Sequence, residues 1–338
     1  MKTILVSGGL GFIGSHTVVE LLNNNYNVII IDNLINSSID VFQKIKTITG
    51  INDVSRIQFY NIDLRNSLQY EYLFIENKID AVIHFASLKS VSESIKNPLE
   101  YYDNNIIGTI KLLQVMKKYN CKRIIFSSSA TVYGNTNYPV HEDSKIGEGI
   151  TNPYGKTKYI LENILEDIYN SDNSWSIVIL RYFNPIGAHP SKLIGENPNN
   201  IPNNLFPYLL KVSVGELKNL CIFGNDYNTS DGTCIRDFIH VVDLARGHIL
   251  SMNKLEESNI HIYNLGSGKG TSVLELMYTF EKVNNISLQH KFVERREGDL
   301  SIVYANVDKA FNELGWKCQY TVEDMCRHGY NFIKTFII

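Results

Sequence analysis

The 338-residue sequence has few cysteines and no marked excess of charge of either sign. Its five cysteines form no Cys-x-x-Cys pair, and an odd number cannot all pair within one chain, which favours reduced thiols. Lys and Arg total 32 against 35 for Asp and Glu, without a dense basic segment. Nucleic acid and anionic lipid are therefore disfavoured as main partners, and a small-molecule ligand is the better expectation.

Long apolar runs and metal-binding spacings are also missing from the sequence. The first apolar run stops after Val6, which is too short for a signal-peptide core or a membrane-spanning helix. The His and Cys residues show no spacing typical of a metal site, so we predict no metal. These features predict a soluble, cytoplasmic protein.

Short β-rich segments alternate with helical patterns in the first half of the chain. They are Thr3 to Val6, Val28 to Ile31, Ile57 to Asn61, Ala81 to Phe85, Arg123 to Ser127 and Ser176 to Arg181. This alternation predicts an α/β fold, a Rossmann-type doubly wound parallel sheet with helices on both faces. Because prolines become frequent after Asn184, we predict a first domain over 1–184 and a smaller C-terminal α/β domain over 185–338, with a return to the first around 236–265.

A glycine-rich segment, VSGGLGFIGSH, follows the first predicted strand. Gly8, Gly11 and Gly14 have the spacing GxxGxxG, and Gly9 completes a GxGxxG pattern with the last two. Such glycines let the chain turn sharply and let a pyrophosphate approach the N-terminus of the next helix. The pattern alone also fits a tight, closely packed strand-to-helix turn. The helical pattern from Phe12 to Leu22 favours a dinucleotide site.

An acidic residue ends the second predicted strand. Asp32 follows Gly14 by 18 residues, close to the spacing of about 20 expected for the carboxylate that binds the adenosine ribose. A carboxylate there repels a 2'-phosphate, and the neighbouring Asn33 and Leu34 supply no cation. The sequence therefore favours NAD over NADP.

Two further strand ends are expected at the same edge of the sheet. Asp63 follows the third predicted strand, and the segment Phe85 to Lys89 follows the fourth. Ligands of open α/β sheets bind at the carboxyl ends of strands, so we expect these positions to line one crevice. His84 lies inside its strand, and we interpret it as a core residue with satisfied hydrogen bonds.

The segment TNPYGKTKYI places Tyr154 and Lys158 one helical turn apart, just after Pro153. Either Thr151 or Asn152 can cap a helix that begins at Pro153. A tyrosine titrates near about 10, so a phenolate at neutral pH needs a shift of about 3 units, or about 4 kcal/mol. An ammonium at about 6 Å in an effective dielectric of about 20 supplies nearly 3 kcal/mol. The positive helix terminus and an oxidised nicotinamide ring can supply the remainder. We therefore predict that Lys158 lowers the pKa of Tyr154 and makes it a base.

The segment FSSSATVYG ends a predicted strand with hydroxyl side chains. Together with the glycine segment and the Tyr-x-x-x-Lys pair, it resembles the extended short-chain dehydrogenase/reductase family, in which Ser, Tyr and Lys form the catalytic group. The chain is most similar to the UDP-glucose 4-epimerases over nearly its whole length. The matching segments include IDNLINS, HFASLKSVSES, EYYDNNIIGT, RYFNPIGAHPS, IPNNLFPY, FGNDYNTSDGTCIRDFIHV, YNLGSGKG and REGDL.

This resemblance implies reversible 4-epimerisation of UDP-glucose and UDP-galactose through a 4-keto intermediate with tightly bound NAD, and a homodimer. It implies Ser129, Tyr154 and Lys158 as catalytic residues. The cofactor-binding residues it implies are Gly8, Gly11, Phe12, Ile13, Gly14, Asp32, Asn33, Asn36, Ser37, Asp63, Leu64, Phe85, Ala86, Ser87, Lys89, Asn104, Ser127, Tyr154, Lys158 and Phe183. The residues it implies for UDP-sugar binding are Ser129, Tyr154, Asn184, Asn204, Leu205, Cys221, Ile222, Phe223, Arg236, Arg296, Asp299 and Val303.

One position bears on substrate range. By the same resemblance, epimerases that exclude N-acetylated sugars tend to carry tyrosine at the position of Val303, whereas smaller side chains accompany acceptance. Valine leaves space for an acetamido group, so we expect UDP-N-acetylhexosamines to be substrates as well.

Three other functions are compatible with parts of the pattern. Sugar-nucleotide dehydratases and decarboxylases resemble this chain but typically carry a carboxylate directly after the serine or threonine, where this sequence has Ala130 and Thr131. General acid chemistry on the sugar is hard to arrange without that carboxylate. A non-catalytic NAD sensor would not need Ser129, Tyr154 and Lys158 together, and a net dehydrogenase would accumulate NADH.

The segment GSGKG has some features of a phosphate-binding loop. Tyr263 stands where the upstream glycine of such a loop belongs, and Gly270 replaces the Ser or Thr that should follow Lys269. We predict instead a strand-to-helix turn with Thr271 as the helix cap.

Overall fold

The computed structural model describes residues 1–198, 202–296 and 298–336. Ile201 of IPNNLFPY, Glu297 of REGDL and the last two residues of the hydrophobic tail lie outside these ranges. The strands are β1 Thr3–Ser7, β2 Asn27–Asp32, β3 Ile57–Asn61, β4 Ala81–His84, β5 Arg123–Ser129, β6 Ser176–Tyr182, β7 Asn184–Ile186, β8 Leu220–Phe223, β9 Ile235–Arg236, β10 Phe238–His240, β11 Ile260–Leu265, β12 Thr271–Ser272, β13 His290–Val293 and β14 Ile302–Val303. The α-helices are α1 Phe12–Asn23, α2 Asp40–Thr49, α3 Glu71–Glu76, α4 Val91–Lys96, α5 Pro98–Tyr101, α6 Gly108–Lys118, α7 Pro153–Ser171, α8 Leu205–Ser213, α9 Val241–Ser251, α10 Val273–Asn284, α11 Asp308–Leu314 and α12 Val322–Ile333.

The chain forms two compact units, and each is discontinuous in sequence. The first comprises residues 1–134, 145–181 and 245–263, and the second comprises residues 135–144, 182–244 and 264–338. Residues 135–144 thus belong to the second unit, although they lie within the range predicted for the first domain.

The first unit is built on a sheet with the strand order β11-β6-β5-β4-β1-β2-β3. β1 pairs in parallel with both β2 and β4, so that Ile4 lies between Val28 and Ala81. Runs of Val, Ile and Leu form these strands because helices cover both faces of such a sheet. The strand order reverses beside β1, which creates the crevice where doubly wound sheets bind their ligands. The predicted Rossmann-type fold is confirmed.

The hydrophobic core of the first unit fixes the position of α7. Leu161 and Leu165 of this helix are buried in the same cluster as Ile124 and Phe126 of β5. Their spacing of four residues puts them on one face of the helix. The N-terminal turns of α7 are thereby held against the end of β5.

The second unit contains small sheets and helices around a separate core. Its sheets have the orders β12-β9-β14, β10-β7 and β13-β8. Buried apolar residues of α8, α10 and α12 meet in this core, including Phe206, Phe280 and Met325. The hydrophobic C-terminal segment reaches this core through Ile333; Phe332 is also buried, whereas Phe336 is half exposed.

The cap of α10 differs from the prediction by one residue. Ser272, not Thr271, is the N-cap, because its hydroxyl accepts the Glu275 amide at 3.0 Å while the Glu275 carboxylate accepts the Ser272 amide at 3.3 Å. The preceding loop is tied to a carboxylate: the amide of Gly268 donates to Asp237 at 3.1 Å. Both observations support a structural turn at GSGKG.

The part of the chain that the structure describes contains no helix long and apolar enough to span a membrane. All five cysteines are free thiols.

Candidate active site

The glycine loop after β1 has the geometry of a phosphate cradle. Gly8 has φ +69°, and a side chain there would come within 2.7 Å of the Ala86 amide nitrogen. A side chain at Gly14 would overlap the Gly8 carbonyl oxygen. Gly11 is the N-cap of α1, and the described residues give this helix end neither a side-chain cap nor an acidic first turn. Its amides are therefore available to an anionic ligand such as a pyrophosphate.

Asp32 lies at the end of β2, beside this loop. One carboxylate oxygen accepts the Leu10 amide at 3.0 Å, which joins β2 to the glycine loop. The other accepts the Leu34 amide at 3.0 Å and the Ser37 hydroxyl at 2.8 Å. Asp32 thus holds the loop after β2, where the predicted contacts Asn33, Asn36 and Ser37 lie.

Asp63 follows β3 and is part of an ion-pair network at the surface. Arg65 binds both oxygens of Asp63, at 3.0 and 2.7 Å, and also pairs with Asp103 at 2.7 Å. Hydrogen bonds from Arg65 lower the pKa of Asp63 to about 2. Because Arg65 already faces two carboxylates, it is poorly placed to attract the 2'-phosphate of NADP, in keeping with the predicted preference for NAD.

The segment after β4 approaches the glycine loop from the other side. The amides of Phe85 and Ala86 donate to the Ser7 carbonyl at 2.9 and 3.1 Å. The ammonium of Lys89 lies 5.7 Å from the centre of the Phe12 ring in the first turn of α1. The structure thus brings Phe85, Ala86 and Lys89 to the glycine loop beside β1, whereas Leu64 is buried in the hydrophobic core of the first unit.

His84 is a buried structural residue, as interpreted from the sequence. Its Nδ1 lies 2.6 Å from the Ser7 hydroxyl and its Nε2 lies 2.7 Å from the Thr109 hydroxyl. Burial lowers the pKa of His84 to about 3, with a smaller contribution from the charge of Lys158. The imidazole is therefore neutral at physiological pH.

Asn105 connects the segment after β4 to helix α7, and the sequence analysis did not identify it. It lies in a π-helical stretch, Tyr102–Ile107, a rare conformation that is frequent at functional sites. Its amide group accepts from the Leu88 amide at 2.8 Å, donates to the Leu88 carbonyl at 3.0 Å and donates to the Thr157 hydroxyl at 3.1 Å. Its neighbour Asn104, a predicted cofactor contact, donates to the same side chain at 2.9 Å.

Helix α7 begins at the residue that the sequence predicts. Pro153 is its first residue, and Asn152 rather than Thr151 is the cap, since its side chain accepts the Gly155 amide at 2.8 Å. Proline at this position lacks the donor that a helix start leaves unpaired. Tyr154 therefore stands in the first turn and Lys158 in the second.

Ser129, Tyr154 and Lys158 are brought together by β5 and α7. Lys158 is 3% exposed, and its ammonium donates to the Ser127 carbonyl at 2.7 Å. It lies 5.9 Å from the centre of the Tyr154 ring. The Ser129 hydroxyl accepts from the Thr131 hydroxyl at 3.0 Å. A phenol, a hydroxyl and a buried ammonium thus share one site.

The predicted lowering of the Tyr154 pKa is wrong for the protein without cofactor. Burial raises the pKa of Tyr154, and a hydrogen bond with Ser129 opposes this by favouring the phenolate. The desolvation of the phenolate outweighs the attraction expected from Lys158. Tyr154 is therefore a protonated phenol at neutral pH before any ligand arrives.

Lys158 has the opposite shift. Burial lowers its pKa to about 7, and the negative charge of Glu162 opposes this shift. The ammonium is thus close to its own titration point at neutral pH. The charge that could stabilise a phenolate is present for only part of the molecules in the ligand-free protein.

Several residues predicted to bind the sugar nucleotide meet in the second unit. Nη2 of Arg236 lies 3.7 Å from Oδ1 of Asp299. Val303 of β14 is the strand partner of Arg236 in β9. The Arg296 guanidinium lies 3.8 Å from the centre of the Phe223 ring. Each of these two pairs contains a guanidinium, a group whose planar donors match phosphate oxygens.

The remaining predicted substrate residues occupy separate elements of the second unit. Asn204 is the residue before α8, which begins at Leu205, and Cys221 and Ile222 lie in β8. Asn184 donates its amide to the Asp237 carbonyl at 2.9 Å, and Phe183 donates its amide to the Leu265 carbonyl at 3.2 Å.

Comparison with known proteins identifies the family. A family model described as GDP-mannose 4,6 dehydratase matches residues 5–329. The UDP-glucose 4-epimerase of Bacillus subtilis (strain 168) is 51% identical over 331 residues, which cover 97% of this chain and 96% of that protein. The chain belongs to the UDP-glucose 4-epimerase family. The predicted resemblance is confirmed.

Two further members of the UDP-glucose 4-epimerase family have the same extent of similarity. The bifunctional UDP-glucose 4-epimerase and UDP-xylose 4-epimerase 1 of Pisum sativum is 52% identical over 337 residues, covering 98% of this chain and 96% of that protein. The crystal structure of the Bifidobacterium longum UDP-glucose 4-epimerase in complex with NAD+ and UDP has a TM-score of 0.95 and 49% identity, covering 99% of this chain and 98% of that one.

Proposed function

We propose that this chain interconverts UDP-glucose and UDP-galactose by inverting C4 of the sugar, with NAD as a tightly bound cofactor, and so serves galactose and nucleotide-sugar metabolism. The observation that carries the proposal is the 51% identity to a UDP-glucose 4-epimerase over nearly the full chain. The grouping of Ser129, Tyr154 and Lys158 at the end of β5 supports it.

The residues around the glycine loop fit NAD. Gly8 and Gly14 keep open a cradle that a side chain would fill, and the amides at the start of α1 can receive the pyrophosphate. Asp32 offers a carboxylate to the adenosine ribose. When bound, NAD supplies a reversible acceptor for the hydrogen on the sugar carbon, so that the sugar can be oxidised and reduced without net redox change.

The residues of α7 and β5 handle the proton. Tyr154, as a phenolate, takes the proton from the 4-hydroxyl of the sugar, and it returns this proton to the 4-keto intermediate. Ser129 donates a hydrogen bond to the same sugar oxygen. The ammonium of Lys158 stabilises the phenolate.

The second unit supplies the groups that recognise the UDP part of the substrate. Arg236 and Arg296 would bind the two phosphates, because a guanidinium presents a planar pair of donors to phosphate oxygens. Asp299 would accept from the uridine ribose. Firm binding of the nucleotide leaves the hexose free to turn, which the inversion of C4 requires.

A single incubation tests the proposed reaction. The purified protein is mixed with UDP-galactose without added cofactor, and the products are separated by anion-exchange chromatography. We expect UDP-glucose to form, because the cofactor remains bound during purification. A product lighter by one water would support a dehydratase, as the family model's description suggests; accumulation of NADH would support a dehydrogenase. Bound NAD without turnover would support a sensor.

The dehydratase is the weaker candidate for a local reason. Ala130 and Thr131 follow Ser129 directly, and the Thr131 hydroxyl already donates to Ser129 at 3.0 Å. Neither side chain can act as the general acid that removal of water from a sugar needs.

We also propose that UDP-N-acetylhexosamines are substrates. Val303 is part of the short strand β14 and pairs with Arg236, a predicted phosphate-binding residue, and its side chain is much smaller than a tyrosine. We expect the Val303→Tyr variant to lose turnover of UDP-N-acetylgalactosamine by about tenfold or more while it keeps that of UDP-galactose, since one bulky group in a pocket commonly changes specificity by 1–3 kcal/mol. Wild-type protein that converts only UDP-galactose would contradict this proposal.

We propose a cytoplasmic homodimer as the working form. The free cysteines suit a reducing compartment. Apolar side chains on α4 and α5 face outward, with Leu99 82% exposed and Ile95 and Val91 also exposed. Such a surface suits contact with a second copy. Light scattering should give twice the 38.5 kDa chain mass, and Leu99→Glu should lower it.

A further inference from the structure

A buried ion pair lies directly behind the catalytic lysine. Glu162 follows Lys158 by one turn of α7, and Arg181 lies in β6. Both are buried, with 4% and 2% of their surfaces exposed. The Glu162 carboxylate accepts two hydrogen bonds from one guanidinium, at 2.7 Å from Nη2 and 3.1 Å from Nε.

The same carboxylate is hydrogen-bonded to β5. The Ser128 hydroxyl donates to Glu162 through a short hydrogen bond. Ser128 stands between Ser127, whose carbonyl binds the Lys158 ammonium, and Ser129, which is hydrogen-bonded to Tyr154. Glu162 thereby joins α7 to β5 between the two residues of this strand that contact Lys158 and Tyr154.

Stability alone is a poor reason for this arrangement. Burying two charges removes them from water, and an apolar pair of similar volume usually stabilises a core at least as well. Arg181 is held on its other side by Tyr133, whose hydroxyl accepts from it at 3.0 Å. Since the guanidinium is fixed in this way, the carboxylate is also fixed, one turn away from Lys158.

The charged and titratable groups around Lys158 and the Glu162–Arg181 ion pair come from four elements. Tyr154 and Glu162 share the helix of Lys158, His84 lies in β4, Arg181 lies in β6 and Tyr133 follows β5. His84 is neutral, because burial lowers its pKa to about 3. Glu162 is the group among them whose negative charge favours the protonated lysine.

We propose that Glu162 is a positioning residue that sets the pH range in which Tyr154 and Lys158 hold their working charges. This inference rests on the proposed function. A negative charge favours the protonated form of every neighbour, so its removal favours both the phenolate and the neutral amine. Both limbs of the pH–rate profile therefore move in the same direction, toward lower pH.

The test compares two Glu→Gln substitutions on one helix. Glu166 lies one turn beyond Glu162 and is exposed. We expect Glu162→Gln to move both limbs of the kcat/KM profile for UDP-galactose toward acid by about one pH unit, as loss of a unit charge at short range implies. Glu166→Gln should leave the profile in place. A lower rate at every pH without displacement would show a structural role and overturn the proposal.

A second readout does not depend on turnover. The ultraviolet absorbance of tyrosinate is titrated for the holoenzyme, and the Tyr154→Phe counterpart of each protein is subtracted to isolate Tyr154. We expect the midpoint of Tyr154 to fall by about one pH unit in Glu162→Gln and to stay fixed in Glu166→Gln. Suppose that the wild type lacks epimerase activity while the Tyr154 midpoint still falls in Glu162→Gln. In that case the proposed function fails and the role of Glu162 stands.

A further variant keeps the test decisive if Glu162→Gln does not fold, since that change leaves Arg181 buried without its anion. The double variant Glu162→Gln/Arg181→Met removes the ion pair as a unit. We expect it to displace the Tyr154 midpoint toward acid by less than the single variant. The double variant also removes the positive charge of Arg181, whose effect on the pKa of Tyr154 is opposite to that of Glu162. A midpoint equal to that of the wild type in the folded double variant, or one displaced toward base, would overturn the proposal.

Discussion

We expect Tyr154→Phe to lower kcat for UDP-galactose by roughly 10²- to 10⁴-fold, the range that general acid–base catalysis contributes. The substitution removes one oxygen atom and keeps the ring, so the contact with the helix and with Lys158 is retained. NAD should remain bound, because the glycine loop and Asp32 are untouched. Steady-state kinetics and the cofactor content of the purified variant measure the two effects separately.

Tyr159→Phe is the matched control for this prediction. Tyr159 lies five residues further along α7, and its ring packs against Gly147. The same loss of a hydroxyl should change kcat there by less than twofold to threefold, as is usual for changes outside a site. Turnover by Tyr154→Phe within a few-fold of the wild type would exclude the phenolate mechanism.

The pKa directions explain why this tyrosine needs its ligands. Burial raises the pKa of Tyr154 and lowers that of Lys158 to about 7, so the ligand-free site disfavours both charges. A phenolate beside an ammonium is a better arrangement than either ion alone, because each compensates for the desolvation of the other. The attraction between the two charges therefore favours the state in which Tyr154 is a phenolate and Lys158 an ammonium.

Local rules predicted much of the fold and the local geometry at several predicted site positions. The glycine spacing, Asp32 at a strand end and Pro153 at a helix start are each decided by residues within a few positions, and the structure has all three. The error at Thr271 was avoidable, because Ser272 and Glu275 show the S-x-x-E pattern of a capping box.

Long-range contacts were beyond the sequence argument. Asn105 meets Thr157 across 52 positions, and Glu162 meets Ser128 across 34. No periodicity or spacing encodes such pairs, since they depend on how helices pack onto the sheet. The pKa of Tyr154 failed for a related reason: the degree of burial that decides it is a property of the folded core.

The second large effect is expected from Lys158→Met. Activity should fall by roughly 10²-fold or more, because no cation would remain to stabilise the phenolate of Tyr154. The cofactor-free protein should nevertheless become more stable by about 3 kcal/mol at pH 7. Folding lowers the pKa of Lys158 from 10.5 to about 7, so burying this side chain costs several kcal/mol of folding free energy at neutral pH.

The pH dependence separates this electrostatic cost from packing. Between pH 7 and 10.5 the unfolded chain holds a proton on Lys158 that the folded chain has released, so the wild type gains stability as pH rises through this window. The advantage of Lys158→Met, measured by urea unfolding, should therefore shrink from pH 7 to pH 10. Lys156→Met removes an exposed ammonium from the same helix and should change neither stability nor activity appreciably. An equal gain at both pH values would mean that the added apolar contact, and not the removed charge, stabilises the variant.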